Sequence, residues 1–437
     1  MDSATTTAAG GLPGPARIGF FVGKGGVGKS TLASATAIAA AQCGQRVLLI
    51  STDQAHSLGD VLGVPVEPTG AAEPVRILTE EGGGDTAGGH LDALALDTMA
   101  LLESAWRMIA PVLADRFPAS DLNAIAPEEL SSLPGGQEML GLRRVAELAD
   151  SGRWDLVVVD CASTADALRM LTLPAAFGLY AERCWPRHRR LSSAAEDPRV
   201  AASVALVEMV HAGVESLAEL LADERTGAHV VLTPERVVAA EAARTLTALA
   251  VMGVGVREII VNQVLFEDDS YEYRNLPDHP AFDWYAARLA EQKSVLDDLA
   301  ATTGEVRLVL TPHLAGEPIG AKALVQLLDE ARQRDGGPPP GPLRPVVDRE
   351  SGSGLDAVYR MRIALPPLDA SALSLGRAGD DLIVSIGSLR RRVRLASVLR
   401  RCIVAGASLR GGELTVRFSP DSAVWPAGQP EQGADRP

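Results

Sequence analysis

The chain has 437 residues, with 41 Lys+Arg against 56 Asp+Glu (formal net charge −15) and 46% hydrophobic residues, enough for two or more domains with real cores. The acidic balance argues against a chain built mainly to coat nucleic acid, so no nucleic-acid partner is expected. No apolar run reaches membrane-span length, residues 1–14 lack the basic and apolar stretches of a secretory signal, and the four cysteines form no C-x-x-C pair, so a soluble, cytoplasmic protein without structural zinc is expected.

Residues 1–16 are rich in Ala, Thr, Gly and Pro without apolar period and read as a disordered tail. From 17 to 334, short apolar runs alternate with helical patterns, which predicts an α/β fold with a mostly parallel sheet and crossover helices. The predicted strands are Ile18 to Val22, Val47 to Ile50, Leu91 to Leu96, Leu156 to Val159, Val230 to Leu232, Ile259 to Val261 and Val306 to Leu310. Two mostly helical stretches, about 98–149 and 176–222, interrupt this rhythm as an insert. Their stripes (Met99, Leu102, Trp106, Ile109, Leu113; Val207, Val210, Val214, Leu217, Leu221) are broad; they read either as ordinary core or as an apolar groove for a client or dimer partner. Residues 335–354, rich in Pro, Gly and Ser, read as a linker. Period-2 alternation then predicts a small all-β sandwich over 355–420, with 421–437 as a tail. The sandwich carries 11 Arg against 5 acids, opposite in sign to the rest, so the two parts are expected to attract.

Directly after the first predicted strand stands Gly23-Lys24-Gly25-Gly26-Val27-Gly28-Lys29-Ser30-Thr31, followed by an alanine-rich helical pattern. This is G-x-x-x-x-G-K-[ST] in the strand, loop, helix context of a P-loop NTPase. Backbone N–H groups would close around phosphates, Lys29 would reach the β- and γ-phosphates, and the Ser30 hydroxyl would hold Mg²⁺. The chain has only four lysines, and two fall in this loop. A compact ammonium is needed at both places, and the second, Lys24, marks the deviant loop in which it contacts nucleotide on a facing subunit.

Four motifs resemble those of the ArsA family, the arsenite-pump ATPases and the related ATPases that target tail-anchored membrane proteins. They are Lys24 to Thr31; Ser51-Thr52-Asp53-Gln54-Ala55-His56-Ser57-Leu58-Gly59-Asp60, similar to the first switch D-P-A-H-S-L-S-D; Asp160-Cys161-Ala162-Ser163-Thr164-Ala165-Asp166, similar to the second switch D-T-A-P-T-G-H; and Val261-Asn262-Gln263 with Thr311-Pro312, similar to the adenine-reading segments. Pro134 to Glu138 also looks like a family element in the insert. Gln54, Ser163, Ala165 and Asp166 depart from the family's residues, and the cysteine pair of zinc-bridged targeting dimers is missing. The final sandwich resembles the small heat-shock (α-crystallin-like) domain appended to bacterial members.

The resemblance implies ATP and Mg²⁺ as cofactors, with Gly23, Gly25, Gly26, Val27, Gly28, Lys29, Ser30, Thr31, Asn262 and Pro312 binding nucleotide. Ser30 and Asp160 would hold the metal, Asp53 would orient the attacking water, and Lys24 would act across a dimer interface with Lys29 on the scissile phosphate. His56 reads as a switch-loop residue, and the basic run Arg183 to Arg190 as a solvated face. Three readings stay open: a dimeric ATPase driving a hydrophobic client or membrane-protein partner, the ATPase subunit of an arsenite or anion efflux pump, and a non-enzymatic ATP-sensing holdase or scaffold.

Overall fold

The computed structural model describes residues 15–53, 57–69, 73–80, 88–116, 129, 135–196, 198–267, 279–303, 306–334, 345–364, 373–386, 389–410 and 413–425. In chain order the first part runs β1 (Arg17–Val22), α1 (Lys29–Gln42), β2 (Arg46–Ser51), α2 (Ser57–Leu62), β3 (Pro68–Thr69), β4 (Val75–Thr79), β5 (His90–Leu96), α3 (Thr98–Arg116), α4 (Gly136–Ala149), β6 (Leu156–Asp160), α5 (Thr164–Cys184), α6 (Arg187–Glu196), α7 (Pro198–Leu221), β7 (Thr226–Leu232), α8 (Arg236–Met252), β8 (Val256–Val264), α9 (Pro280–Thr303), β9 (Arg307–Pro312), α10 (Gly320–Asp329) and β10 (Arg332–Arg334).

These strands form one ten-stranded sheet ordered β10-β9-β8-β7-β1-β6-β2-β5-β3, with β4 beside β5. Strands β9 through β3 on this path run parallel, whereas β10 and β4 pair antiparallel to their neighbours. Near-continuous apolar runs such as Phe20-Phe21-Val22 and Val157-Val158-Val159 are buried on both faces, as a helix-covered parallel sheet requires. Alanines make α1 thin, and its buried Ala33, Ala35, Ala37 and Ala41 let it pack closely between the sheet and α10. All seven strands predicted from apolar runs are present. The short β3, β4 and β10 were not foreseen, because pieces of two to five half-exposed residues carry little periodicity.

The second part comprises β11 (Val346–Ser351), β12 (Val358–Ala364), β13 (Leu373–Ala378), β14 (Asp381–Ile386), β15 (Leu389–Arg394), β16 (Cys402–Arg410) and β17 (Glu413–Pro420). They make a four-stranded sheet, β11-β12-β17-β16, and a three-stranded one, β13-β14-β15. Inward residues Met361, Ile363, Leu382, Val384, Val393, Leu414, Val416 and Phe418 form its core, and Ala250 and Val251 of α8 belong to the same apolar cluster. One expectation needs correction: β11 stands inside the stretch read as linker. Its Asp348 and Glu350 take Arg360 at 3.1 Å and Arg417 at 2.7 Å from the neighbouring strands, and those pairs turn a charged, turn-like sequence into a strand.

The insert is helical where described, in α3 and α4 and then from the end of α5 through α7. Val214, Leu217 and Leu221 of the second stripe are buried, but Val210 is 44% and Met209 71% exposed; Met99, Leu102 and Trp106 of the first are half-buried. The side chains of Ile109 and Leu113, the tails 1–14 and 426–437, and 335–344 of the expected linker lie outside the described residues. Among the described residues, no helix is long and apolar enough to cross a membrane.

Opposite the site end of the sheet, Trp154 is fully buried and donates from Nε1 to Asp92 Oδ2 at 2.9 Å, while Arg76 and His90 flank the same carboxylate. Trp154→Phe keeps the ring and deletes the donor. Unfolding should become easier by about 2 kcal/mol, read as a lower urea midpoint at unchanged slope.

Candidate nucleotide site

Strand β1 lies between β6 and β7, so the loop after Val22 emerges at the carboxyl edge of the sheet where crossovers diverge, the place at which such sheets bind ligands. A Cβ at Gly23 would sit 2.1 Å from the Val231 carbonyl oxygen, so only glycine lets the loop leave β1 so close to β7. Gly28 caps α1 at φ +91°, and its absent Cβ would stand 2.3 Å from Asn262 Nδ2. Lys29 opens α1 and is buried; its Nζ donates to the Lys24 carbonyl at 3.1 Å. Lys24 itself is exposed, as are Gly25 and Gly26, whereas Val27 is buried and Ser30 and Thr31 are half-buried.

Asp160 ends β6 beside Phe21 of β1 and Ser51 of β2. Burial pushes its carboxyl up to about 6; the nearby Asp53 also raises it, while the Ser30 hydroxyl and Lys29 ammonium pull it down. Ser30 is close enough to act on the carboxylate, yet among the described residues neither Asp160 oxygen has a well-formed hydrogen bond. A buried carboxylate left in this condition is costly, and a hard cation between Ser30 and Asp160 would relieve it. The residues present therefore fit Mg²⁺. Asp53 follows Thr52, whose N and Oγ1 both donate to the Asp160 carbonyl, at 2.9 and 3.2 Å; the Asp53 N–H donates to Ser51 Oγ at 3.2 Å. These ties bring Asp53, Asp160, Lys29 and Ser30 to one edge. Gln54, Ala55 and His56 lie outside the described residues.

The second switch opens α5 with a device visible in the pattern S-x-x-D but not singled out above. The Asp166 N–H donates to Ser163 Oγ at 3.2 Å, and that hydroxyl donates to Asp166 Oδ2 at 2.7 Å, a variant of the capping box. Asp166 also faces Arg169 at 3.6 Å, and Arg169 reaches Glu138 of α4 at 3.3 Å. Two of the residues that depart from the family pattern thus act as one cap, tied to the insert.

On the other flank, Asn262 is buried. Its Nδ2 donates to the Val27 carbonyl at 2.9 Å, and its Oδ1 accepts from Thr311 Oγ1 at 2.7 Å, so it braces the phosphate loop against β8 and β9. The next residue, Gln263, holds φ 59°, uncommon for a residue with a side chain. It sits where the β8–β9 register breaks between Val261 and Val264, and Gln292 fastens the turn by donating to the Gln263 carbonyl at 3.3 Å and accepting from the Leu265 N–H at 2.8 Å. Pro312 ends β9 opposite Val264. The basic run divides: Arg187, His188 and Arg189 are exposed, but Arg190 is fully buried on Glu208 at 2.7 Å and the Trp185 carbonyl at 2.5 Å.

A family model described as anion-transporting ATPase matches residues 16–331, and a second, an HSP20-like domain found in ArsA, matches 356–418. The chain belongs to the ArsA ATPase family. It is 66% identical over 417 residues to protein Rv2184c of Mycobacterium tuberculosis, covering 95% of this chain and 99% of that one. It is 26% identical to a putative arsenical pump-driving ATPase 1 of Aquifex aeolicus, covering 92% and 100%, and 24% identical to ATPase ASNA1 homolog 1 of Paramecium tetraurelia, covering 71% and 90%.

Two outcomes test this geometry. A carboxyl raised from 3.8 to about 6 on folding costs stability that develops as pH rises through that window and is complete above it. Asp160→Asn should therefore stabilise metal-free protein at pH 7 by up to about 3 kcal/mol, with the gain vanishing below pH ~4, in thermal unfolding across pH. Ser163→Ala should speed amide exchange at 163–167 by about fivefold, the loss of one cap, while Ser163→Thr keeps the parental rate.

Proposed function

We propose that the chain binds ATP with Mg²⁺ at the Gly23 to Thr31 loop and hydrolyses it as a homodimer, coupling nucleotide state to a hydrophobic client or membrane-protein partner. The observation that carries this reading is the orphaned Asp160 carboxylate facing Ser30, Lys29 and Asp53 at the mouth of a glycine loop. Lys29 is the phosphate contact in each protomer, its ammonium passing from the Lys24 carbonyl to phosphate. Ser30 and Asp160 would hold the metal, which supplies charge neutralisation when bound. Asp53 orients the attacking water as a carboxylate. Asn262 keeps the loop at the height of the β8 and β9 ends, where Pro312 borders the base.

Lys24 is exposed, and that exposure supports an action on the facing subunit. Family membership supports ATPase chemistry, and the names of the Aquifex and Paramecium relatives describe ATPases. The pump reading draws on the Aquifex name and on the anion-transporting description of the family model; among the described residues, Cys43 at the end of α1, Cys161 after β6 and Cys402 in β16 form no cluster of the kind a soft metalloid would require.

Trans action has a sharp test. Lys24→Ala and Asp53→Asn should each bind MgATP in calorimetry with nearly parental heat, and each alone should turn over slowly. Mixed in equal amounts they should recover about a quarter of parental turnover, because half the dimers are mixed and each has one intact site. No recovery on mixing would remove Lys24 from the facing site, and absence of magnesium-dependent heat in the parent would remove the nucleotide reading itself.

A further inference from the structure

Helix α8 touches both parts of the molecule at opposite ends. Its Val238, Glu241, Ala242 and Thr245 wall a cavity of about 10 Å³ with Gly23, Lys24 and Thr164, room for about one water. The cavity thus joins the phosphate loop, the start of the second-switch helix and α8. Five residues past Thr245, about 8 Å along the helix at 1.5 Å per residue, the C-terminal end carries Ala250 and Val251 into the core cluster of the sandwich. There Arg391 of β15 donates from Nη1 to the Ala250 carbonyl at 3.4 Å. That carbonyl belongs to the last turn of α8 and also accepts from the Gly253 N–H at 3.1 Å; a cation is favoured there by the helix field. Gly253 ends the helix at φ +83°, and a Cβ on it would lie 2.9 Å from Arg391 Nη2, so the absence of a side chain there makes room for the guanidinium.

Arg391 is the inward member of an arginine run. Arg390 and Arg394 alternate with it and are exposed, whereas burial lowers the Arg391 pKa. Strand β15 is also the end strand of its sheet, and packing against α8 covers an edge that would otherwise be open for pairing.

We propose that the sandwich is a working part of the ATPase: by holding the C-terminal end of α8 through Arg391, it sets the wall of the cavity behind Gly23 and Lys24, so sandwich docking and nucleotide occupancy bias one another. This rests on the nucleotide reading above. The bistable element is the β15 to α8 joint, docked or undocked, and linkage makes the effect reciprocal. Nucleotide that orders the phosphate loop and its α8 wall stabilises the docked joint, and a docked joint tightens nucleotide binding.

The test is amide exchange on the full chain with and without MgATP, together with calorimetry. In the parent, MgATP should slow exchange at 23–31 and, by about fivefold, at 389–394. Arg391→Ala should abolish the nucleotide response at 389–394 and weaken MgATP binding by a similar factor, with Arg391→Lys intermediate. Loss of a merely structural contact would loosen the sandwich without moving the MgATP Kd. Protection at 23–31 with an indifferent 389–394 overturns the joint alone, and that arm needs no variant. An unchanged Kd in a folded Arg391→Ala protein also overturns it. Indifference of both segments in the parent overturns the joint and the nucleotide reading together.

Discussion

The site depends on one unfavourable act of burial. Asp160 is carried to the centre of a parallel sheet by an apolar strand, and among the described residues its oxygens are left without a well-formed hydrogen bond. A protein core does not retain such a group for stability, since an unsatisfied buried carboxylate costs more than it returns. Around it, the carboxyl ends of β1, β2 and β6 bring Lys29 and Ser30 from one side and Asp53 from the other. Lys29 and Ser30 ease the charge in part while Asp53 adds to it, so a further positive charge shared among them would complete the balance. Positions that strain local structure for no structural return are where binding energy is spent.

The flanks of the site show how the fold keeps that arrangement rigid. Asn262 holds the loop from below, fixed by Thr311 on the neighbouring strand. Thr52 holds the first switch to the Asp160 backbone, and Ser163 with Asp166 starts the second-switch helix at a fixed residue. None of these side chains carries charge that a phosphate would need. They act through hydrogen bonds within or between neighbouring strands and turns, so the charged residues meet at short range without long flexible searches.

The phosphate loop was legible because its chemistry is local: glycines where backbone must approach, then a lysine and a hydroxyl at the start of a helix, all within nine residues. Asp160 was legible because a buried strand ending in a carboxylate is a strong pattern. The bracing role of Asn262 was not, since it depends on a register break and a positive φ at Gln263 that no periodicity encodes. Strand β11 was missed for a related reason, as its pairing lies in ion pairs with strands twelve to sixty-seven residues away. One arginine run misled in one respect: Arg183 to Arg190 reads as a solvated face, yet Arg190 is fully buried on Glu208.

The opposite charges of the two parts suggested a broadly electrostatic attraction, and the contacts argue for something narrower. Much of the sandwich's positive charge is already spent within it: Arg360 and Arg362 on Asp348, Arg417 on Glu350, Arg392 on Asp381 and Arg400 on Asp380. Such exposed pairs contribute little each, and they engage those arginines inside the sandwich rather than across to the first part. Among the described residues, what joins the parts is a patch of apolar contact at Ala250 and Val251 and one half-buried guanidinium on a helix end. A joint of that kind is short-ranged and geometry-dependent, less sensitive to salt than a fully exposed pair, and it is broken by displacement of α8 rather than by screening. That makes the position of α8, and not the net charge of either part, the quantity on which the sandwich and the phosphate loop can act together.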